Sequence, residues 1–305
     1  MALDFLRALF GPKIRLPIDR VSRAPGSAKK AAKAEIDAMQ AALDRLGALD
    51  GIADIATTKK APKGTEAAFR DFLTHFDAYL EIVAKKMNLD GALRPGTPEG
   101  RDLCNVAPFG VTALESLVIF RTIRLWRDFP DVAQRLASAG EQLFKDIQAL
   151  HDGPNPEQIK MTSTAVMQGR LDNARRMVPC PFLDGDRGRC RIWEIRPLVC
   201  RGHFVTGERA QALPTHENYL KLPVKNLRLP LAQQVALVQL EKRLVLQMTP
   251  FLYANILVLL QLAEGQTIPE VGEPPARFGA GGIIMPKANR NNPSAKKFQK
   301  KGKKH

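Results

Sequence analysis

Three of the four cysteines in this chain lie in one short stretch, at Cys180, Cys190 and Cys200, and Cys104 is the fourth. Proline, glycine and arginine residues fill this stretch, and such a composition favours loops over regular helices. Clustered thiols in a chain with so few cysteines are typical of metal binding or catalysis rather than of a disulfide framework. We therefore expect loop segments that fold around a common centre.

Outside this stretch the sequence predicts a mainly α fold, a helical bundle that carries the irregular cysteine-rich, metal-binding loop region. Apolar residues recur at helical spacing, most clearly in a row of phenylalanines after Thr65. A capping box, Thr112–Glu115, opens another helix. The predicted helices run from Ser27 to Leu46, from Thr65 to the residues before Gly91, from Thr112 to Asp128, from Pro130 to Leu150, from Pro156 to Met177, from Leu231 to Met248 and from Phe251 to Glu264.

Changes in composition divide the chain into three predicted regions. These are an N-terminal helical region (1–92), a cysteine-cluster domain with C-terminal helices (93–265) and a disordered basic tail (266–305). Within the first region, residues 51–64 are predicted to form a linker. The segment from 204 to 230 in the second region is predicted to be irregular.

Much of the excess positive charge lies at the end of the predicted tail. The formal net charge is +15, and eight lysines and arginines between Lys287 and His305, with no acidic residue among them, leave about +7 for the rest. A lysine-rich tail can bind the phosphates of nucleic acid, and it can equally be a solvated tail without a partner.

The sequence contains no predicted membrane span. The most apolar segment, Phe251 to Ala263, has about 13 residues, whereas a span needs about 20. The N-terminus carries Asp4, meets Pro12 early and lacks a small-residue cleavage site, which argues against a secretory signal. We therefore predict a soluble, cytoplasmic protein.

Zinc ions and iron–sulfur clusters are usually held by four ligands, and thiolates suit both. Three ligands would come from Cys180, Cys190 and Cys200, so that a fourth must come from elsewhere. Cys104 is the first candidate and His203, three residues after Cys200, is the alternative. His203 could instead bond a backbone carbonyl. The predicted cofactor is a zinc ion or an iron–sulfur cluster.

Five arginines lie among the cysteines and are expected to favour the thiolate form, because nearby positive charge lowers the pKa of a thiol. A centre with four thiolates is net anionic, and a buried anion needs donors close by. The same arginines could instead face solvent or pair with Asp184, Asp186 and Glu194. They are Arg187, Arg189, Arg191, Arg196 and Arg201.

Two other uses of the cysteines fit the sequence less well. A disulfide-linked helical hairpin needs two pairs of cysteines on helices, whereas Pro181 and Pro197 oppose helix formation here. A catalytic cysteine needs a partner histidine. The histidines outside the tail lie in no recognisable motif, and they are His75, His151, His203 and His216.

The run CPFLDG…CRIWEIRPLVCR resembles the second half of the signature of the YkgJ-type CxxCxxCC cysteine-cluster family of zinc- or iron-chelating proteins. Trp193 stands where that family usually has tyrosine. The helix start at 111–115 resembles part of the first half, which is represented by Cys104 alone among its cysteines. The resemblance extends from Leu103 to Phe204. The matching residues of the second half are Cys180, Pro181, Phe182, Leu183, Cys190, Ile192, Arg196, Pro197, Cys200 and Arg201.

The resemblance implies a protein that binds a metal ion through the clustered cysteines, with Cys104 or His203 as the closing ligand. The family also includes flagellin lysine N-methylases, so that a protein-modifying enzyme is one alternative. The other alternative is a nucleic-acid-associated module, in which zinc braces the fold and the basic tail binds phosphate. Whether the chain is an enzyme stays open from the sequence.

Overall fold

The computed structural model describes residues 15–58, 60–149, 163–244, 246 and 248–263. These ranges contain ten α-helices and one small antiparallel sheet, which confirms the predicted mainly α class. The strands are β1 (His203–Val205) and β2 (Val224–Asn226). The helices are α1 (Gly26–Ala31), α2 (Lys33–Gly47), α3 (Ile55–Thr58), α4 (Thr65–Lys86), α5 (Ala113–Ile123), α6 (Phe129–Gln148), α7 (Ser163–Arg175), α8 (Leu198–Arg201), α9 (Leu231–Leu244) and α10 (Leu252–Ala263).

Helix α4 carries the predicted row of phenylalanines, and this face is buried. Phe69, Phe72 and Phe76 have no exposed surface. Helix α4 packs along α2, and α2 also contacts α9. Full burial of one such side chain stabilises the fold by roughly 1.5–3 kcal/mol, so that this face alone accounts for much of the association between α2 and α4.

A second group of helices forms around α10, in which Leu252, Ile256 and Leu259 are buried. Helix α10 packs against α5 and α6, and α6 packs along α7. One continuous apolar cluster, the larger cluster, extends from Ala28 in α1 to Leu259 in α10 and includes residues of both helix groups. The predicted regions 1–92 and 93–265 therefore contribute to a common core.

The smaller cluster is built from segments that flank the cysteine loops. It contains Ile18, Leu103 and Val199, among others. Two of the clustered cysteines, at 180 and 190, pack against the larger cluster, and the third, at 200, packs against the smaller one. The cysteine region therefore lies where the two apolar clusters meet.

The structure differs from two predictions for the N-terminal region. Helix α1 begins at Gly26, one residue before the predicted start at Ser27, and the helix predicted to reach Leu46 is divided at Ala32 into α1 and α2. The predicted linker 51–64 contains a 3-10 turn and α3, because Ile52 and Ile55 are buried in the larger cluster. Apolar segments this short show no periodicity that would predict a helix.

The segment predicted to be irregular after Phe204 contributes to the sheet. Strands β1 and β2 pair in antiparallel register, with His203 opposite Asn226. All three residues of β1 are buried, so that the strand shows no alternation of exposed and buried positions. The basic tail 266–305 and the beginning of the helix predicted from Pro156 lie outside the described residues.

Among the described helices, none combines the length and the apolar character that crossing a membrane requires.

The predicted capping box is confirmed, and its glutamate also connects to the cysteine loops. The hydroxyl of Thr112 accepts from the N–H of Glu115, and the Glu115 carboxylate accepts from the N–H of Thr112 at 2.8 Å. The second carboxylate oxygen accepts from the N–H of Leu198 at 2.6 Å. Because Leu198 is the first residue of α8, this buried carboxylate joins the start of α5 to the helix that carries Cys200.

We expect Glu115→Ala to lower the free energy of unfolding by about 2–4 kcal/mol, because it removes a helix cap and leaves two N–H groups without their acceptor. Urea unfolding at neutral pH measures the change. Glu141→Ala is the control, because Glu141 is exposed on α6, where it pairs with the exposed Lys145; its effect should stay below about 0.5 kcal/mol. Equal effects of the two substitutions would contradict the role of Glu115.

Candidate metal centre

All four cysteines line one cavity of about 30 Å³, and all four are free thiols. Two come from the loop between α7 and α8, one from α8 itself and one from the 3-10 turn before α5. Residues of both apolar clusters complete the wall, including Ile18 and Leu252. The four are Cys104, Cys180, Cys190 and Cys200.

Backbone hydrogen bonds hold the cysteine-bearing segments against one another. The N–H of Cys180 donates to the carbonyl of Cys104 at 2.9 Å, and the N–H of Cys190 donates to the carbonyl of Gly96 at 3.0 Å. A β-bridge between Leu183 and Cys190 closes the intervening loop. The loop before α5 and the loop before α8 are therefore joined directly through the main chain.

Two donors from outside the stretch that carries Cys180, Cys190 and Cys200 reach the sulfur atoms. The N–H of Gly96 donates to Sγ of Cys104 at 3.1 Å. The hydroxyl of Tyr253, in α10, donates to the sulfur of Cys180. Hydrogen bonds to sulfur stabilise the thiolate form, so both donors favour the state of cysteine that binds a metal.

Two further donors are local. The N–H of Phe182 donates to the sulfur of Cys180, and the N–H of Ile192 donates to the sulfur of Cys190. In both cases the donor lies two residues after the cysteine, so that the turn following each cysteine directs a backbone N–H at its sulfur. This local geometry is repeated at the two cysteines that pack against the larger cluster.

Burial raises the pKa of all four thiols, and for Cys190 it raises the pKa to about 12. Each cysteine is half-buried by surface area because one side borders the cavity, but protein atoms surround the sulfurs. Every pair of the four is close enough for thiolates to repel each other. The expectation of a lowered thiol pKa is therefore wrong, because burial outweighs the opposing effect of Arg196.

The five arginines of this region occupy different environments. Arg187, Arg189 and Arg191 are exposed. Arg191 pairs with Asp128 through bonds of 2.6 and 2.9 Å and lies over the Trp126 ring. Only the remaining two, at 196 and 201, are buried.

Arg201 and Arg196 differ in their partners. Arg201 pairs with Asp77 and also donates to the carbonyls of Arg196 and Glu194. Arg196 is 2% exposed, and its Nε and Nη1 find no hydrogen-bond partner among the described residues. Its guanidinium group lies 3.3 Å from the centre of the Trp193 ring, and burial lowers its pKa to about 10. An unpartnered cation therefore lines the cavity that holds the four thiols.

His203, the alternative ligand, does not line this cavity. It lies in β1, is 3% exposed, and its Nδ1 bonds the side-chain carbonyl of Asn226. Burial lowers the pKa of His203 to about 4, so that the ring is neutral at physiological pH. The amide of Asn226 in turn donates to the carbonyls of Pro17 and Arg20, which fixes the N-terminal turn against the sheet.

The four cysteines line the cavity, but their sulfur atoms are not arranged as the ligands of a metal ion. Among the described residues, no three cysteine, histidine, aspartate or glutamate side chains meet at a point that could hold a metal ion. The donor set is nevertheless suited to one, because it consists of four thiols, three of which have an N–H donor at their sulfur, and an unpartnered guanidinium in the wall.

Comparison with known proteins identifies the cysteine-bearing segment. Residues 142–221 match the CxxCxxCC family, described as a "putative zinc- or iron-chelating domain". The predicted family is thus confirmed for this segment. Searches of curated proteins and of solved structures returned no significant match.

The CxxCxxCC segment includes three of the cavity's cysteines and excludes Cys104, which the sequence resemblance had included. Sequence reasoning did not identify Gly96, Tyr253 or Asp77. Tyr253 and Asp77 act through contacts with residues far along the chain. Gly96 acts through its backbone N–H, which nearly every residue type carries. The only sequence feature that could have pointed to Gly96 is its position as a glycine in a loop that contains prolines.

We expect Gly96→Ala to lower the free energy of unfolding by about 2 kcal/mol or more, since a left-handed backbone costs a non-glycine residue roughly 1–3 kcal/mol. Gly96 has a φ of +81°, and a Cβ there would lie 2.6 Å from Cβ of Cys190. Urea unfolding measures the loss. Gly91→Ala is the control, because nothing lies within 4 Å of its added Cβ. Unchanged stability of the Gly96 variant would show that the cavity wall between Gly96 and Cys190 is not tightly packed.

Proposed function

We propose that this chain binds a single zinc or iron ion through Cys104, Cys180, Cys190 and Cys200. The observation that carries the proposal is that all four thiols of the chain line one cavity, with N–H groups directed at the sulfur atoms of Cys104, Cys180 and Cys190. The chelating-domain match over residues 142–221 supports metal binding independently of this geometry.

The size of the cavity favours one ion over a cluster. Its volume of about 30 Å³ exceeds the roughly 10–15 Å³ that one water needs on this measure, but only by about twofold. A cluster of several irons and sulfides would require the surrounding apolar side chains to move apart. A single ion needs only four sulfur ligands around one point.

A bound ion would act as a clamp. It would connect the turn before α5, the loop between α7 and α8, and α8 itself, because each carries one or two of the cysteines. These segments also contact different apolar clusters. Structural zinc sites contribute directly to the free energy of folding, so that the metal would stabilise the junction between the two clusters.

Anaerobic purification with metal analysis and a visible spectrum tests the proposal. We expect one zinc or one iron per chain without acid-labile sulfide. Brown protein containing both iron and sulfide would show that the site holds an iron–sulfur cluster instead of a single ion. Protein without metal after aerobic and anaerobic purification would contradict metal binding altogether.

Ligand identity is tested by comparing Cys104→Ser with His203→Gln. We expect Cys104→Ser to weaken zinc binding by more than about 100-fold, because changes outside the ligand set alone cost about 10–100-fold. His203→Gln should leave the affinity near that of the unaltered protein, since His203 bonds Asn226 and lies outside the cavity lining. Competition with a chromophoric chelator measures both. The reverse ranking would assign the fourth ligand to His203.

Zinc affinity should rise steeply with pH. The four thiols have raised pKa values and hold their protons at neutral pH, whereas the metal binds thiolates, so that binding releases protons. Below the thiol pKa values, the logarithm of the apparent affinity should rise by up to about four per pH unit. Calorimetric titration in buffers of different ionisation enthalpy counts the protons. An affinity independent of pH would exclude thiolate ligation.

A further inference from the structure

We propose that Arg196 supplies the positive charge that balances the thiolate centre, an inference that rests on the metal site proposed above. Arg196 lines the same cavity as the four cysteines. It is 2% exposed, and its Nε and Nη1 have no hydrogen-bond partner among the described residues. Because a buried donor without a partner is costly, this side chain is suited to an anion formed inside the cavity.

Packing holds Arg196 in place without neutralising it. The guanidinium group lies 3.3 Å from the centre of the Trp193 ring, and the aromatic face covers one side of it. Within the part of the chain that the structure describes, no salt bridge joins Arg196 to an acidic side chain. The group therefore stays charged and available at neutral pH, while the neighbouring Arg201 is already paired with Asp77.

The charges around Arg196 match the charge of a four-thiolate centre. The charged groups that act on it are Arg94, Arg201, Asp77 and, when ionised, Cys200. Among these groups cations outnumber the single carboxylate of Asp77. A divalent ion held by four thiolates has two negative charges in excess, which these cations would offset. Burying such a centre without the arginines would leave it uncompensated in a medium of low dielectric constant.

Arg191 provides a matched comparison within the same loop. It lies five residues before Arg196, next to Cys190, but it is exposed, pairs with Asp128 and is absent from the cavity lining. Both arginines lie between Cys190 and Cys200 in the sequence. Only Arg196 is buried with unpartnered donors beside the thiols.

The test compares Arg196→Met, Arg196→Lys and Arg191→Met in the full chain. Zinc affinity is measured by chelator competition, and stability by urea unfolding of the chelator-stripped protein. We expect Arg196→Met to weaken zinc binding about 10–100-fold, as loss of outer-shell partners does, and Arg196→Lys to restore most of it. Arg191→Met should have no effect on zinc affinity. The urea midpoint of stripped Arg196→Met should be equal to or above that of the unaltered protein, because a buried unpaired charge has been removed.

The outcomes separate this inference from the proposed metal site. Zinc binding by the unaltered protein together with unchanged affinity of Arg196→Met would overturn the role of Arg196 and leave the metal site standing. Absence of zinc binding in the unaltered protein would overturn the metal site itself. If Arg196→Met does not fold, Arg196→Gln is measured instead. Failure of both neutral variants to fold would also contradict the proposal, since it gives Arg196 no stabilising role in the metal-free fold.

Discussion

The burial of four thiols at the junction of two apolar clusters is the constraint that shapes the rest of this structure. Burial makes the metal-binding form of each cysteine unfavourable, as the raised pKa values show. The surrounding groups offset this cost in part, with N–H donors from Gly96, Phe182 and Ile192, the hydroxyl of Tyr253 and the charge of Arg196. The site is therefore organised for anionic sulfur in a place where neutral thiols are preferred.

Main-chain hydrogen bonds hold the cysteine segments together without the help of a metal. The bond from Cys180 to the carbonyl of Cys104 joins the two loops directly. Glu115 adds a second connection, because its carboxylate accepts N–H groups at the first turns of α5 and α8. A carboxylate is favourable at a helix N-terminus, where the free N–H groups carry partial positive charge. A metal would thus close a site whose backbone is already held in place.

The sequence predicted best those features that depend on local pattern. The phenylalanine face of α4 and the Thr112–Glu115 capping box follow from periodicity and spacing, and both are present. The small number and the clustering of the cysteines made the four thiols candidate ligands, but their common cavity depends on the tertiary fold. The sequence does not distinguish the environment of Arg191 from that of Arg196. The difference between them depends on tertiary contacts, with Asp128 and Trp126 for Arg191 and with Trp193 for Arg196. Contacts between distant residues therefore limit what this sequence predicts about its site.

The low content of regular structure in residues 180–200 gives a physical reason for a metal at this place. Ordering each loop residue costs roughly 1–2 kcal/mol in backbone entropy, and only a β-bridge, a 3-10 turn and the four-residue α8 provide regular hydrogen bonds in return. Structural zinc in small domains contributes on the order of 10 kcal/mol, which is enough to offset a large part of that entropy. Such a contribution depends on a compensated charge, so that the proposed metal clamp and the buried Arg196 belong to one arrangement: a bound metal would order the loops, and the guanidinium would offset the negative charge of the four thiolates.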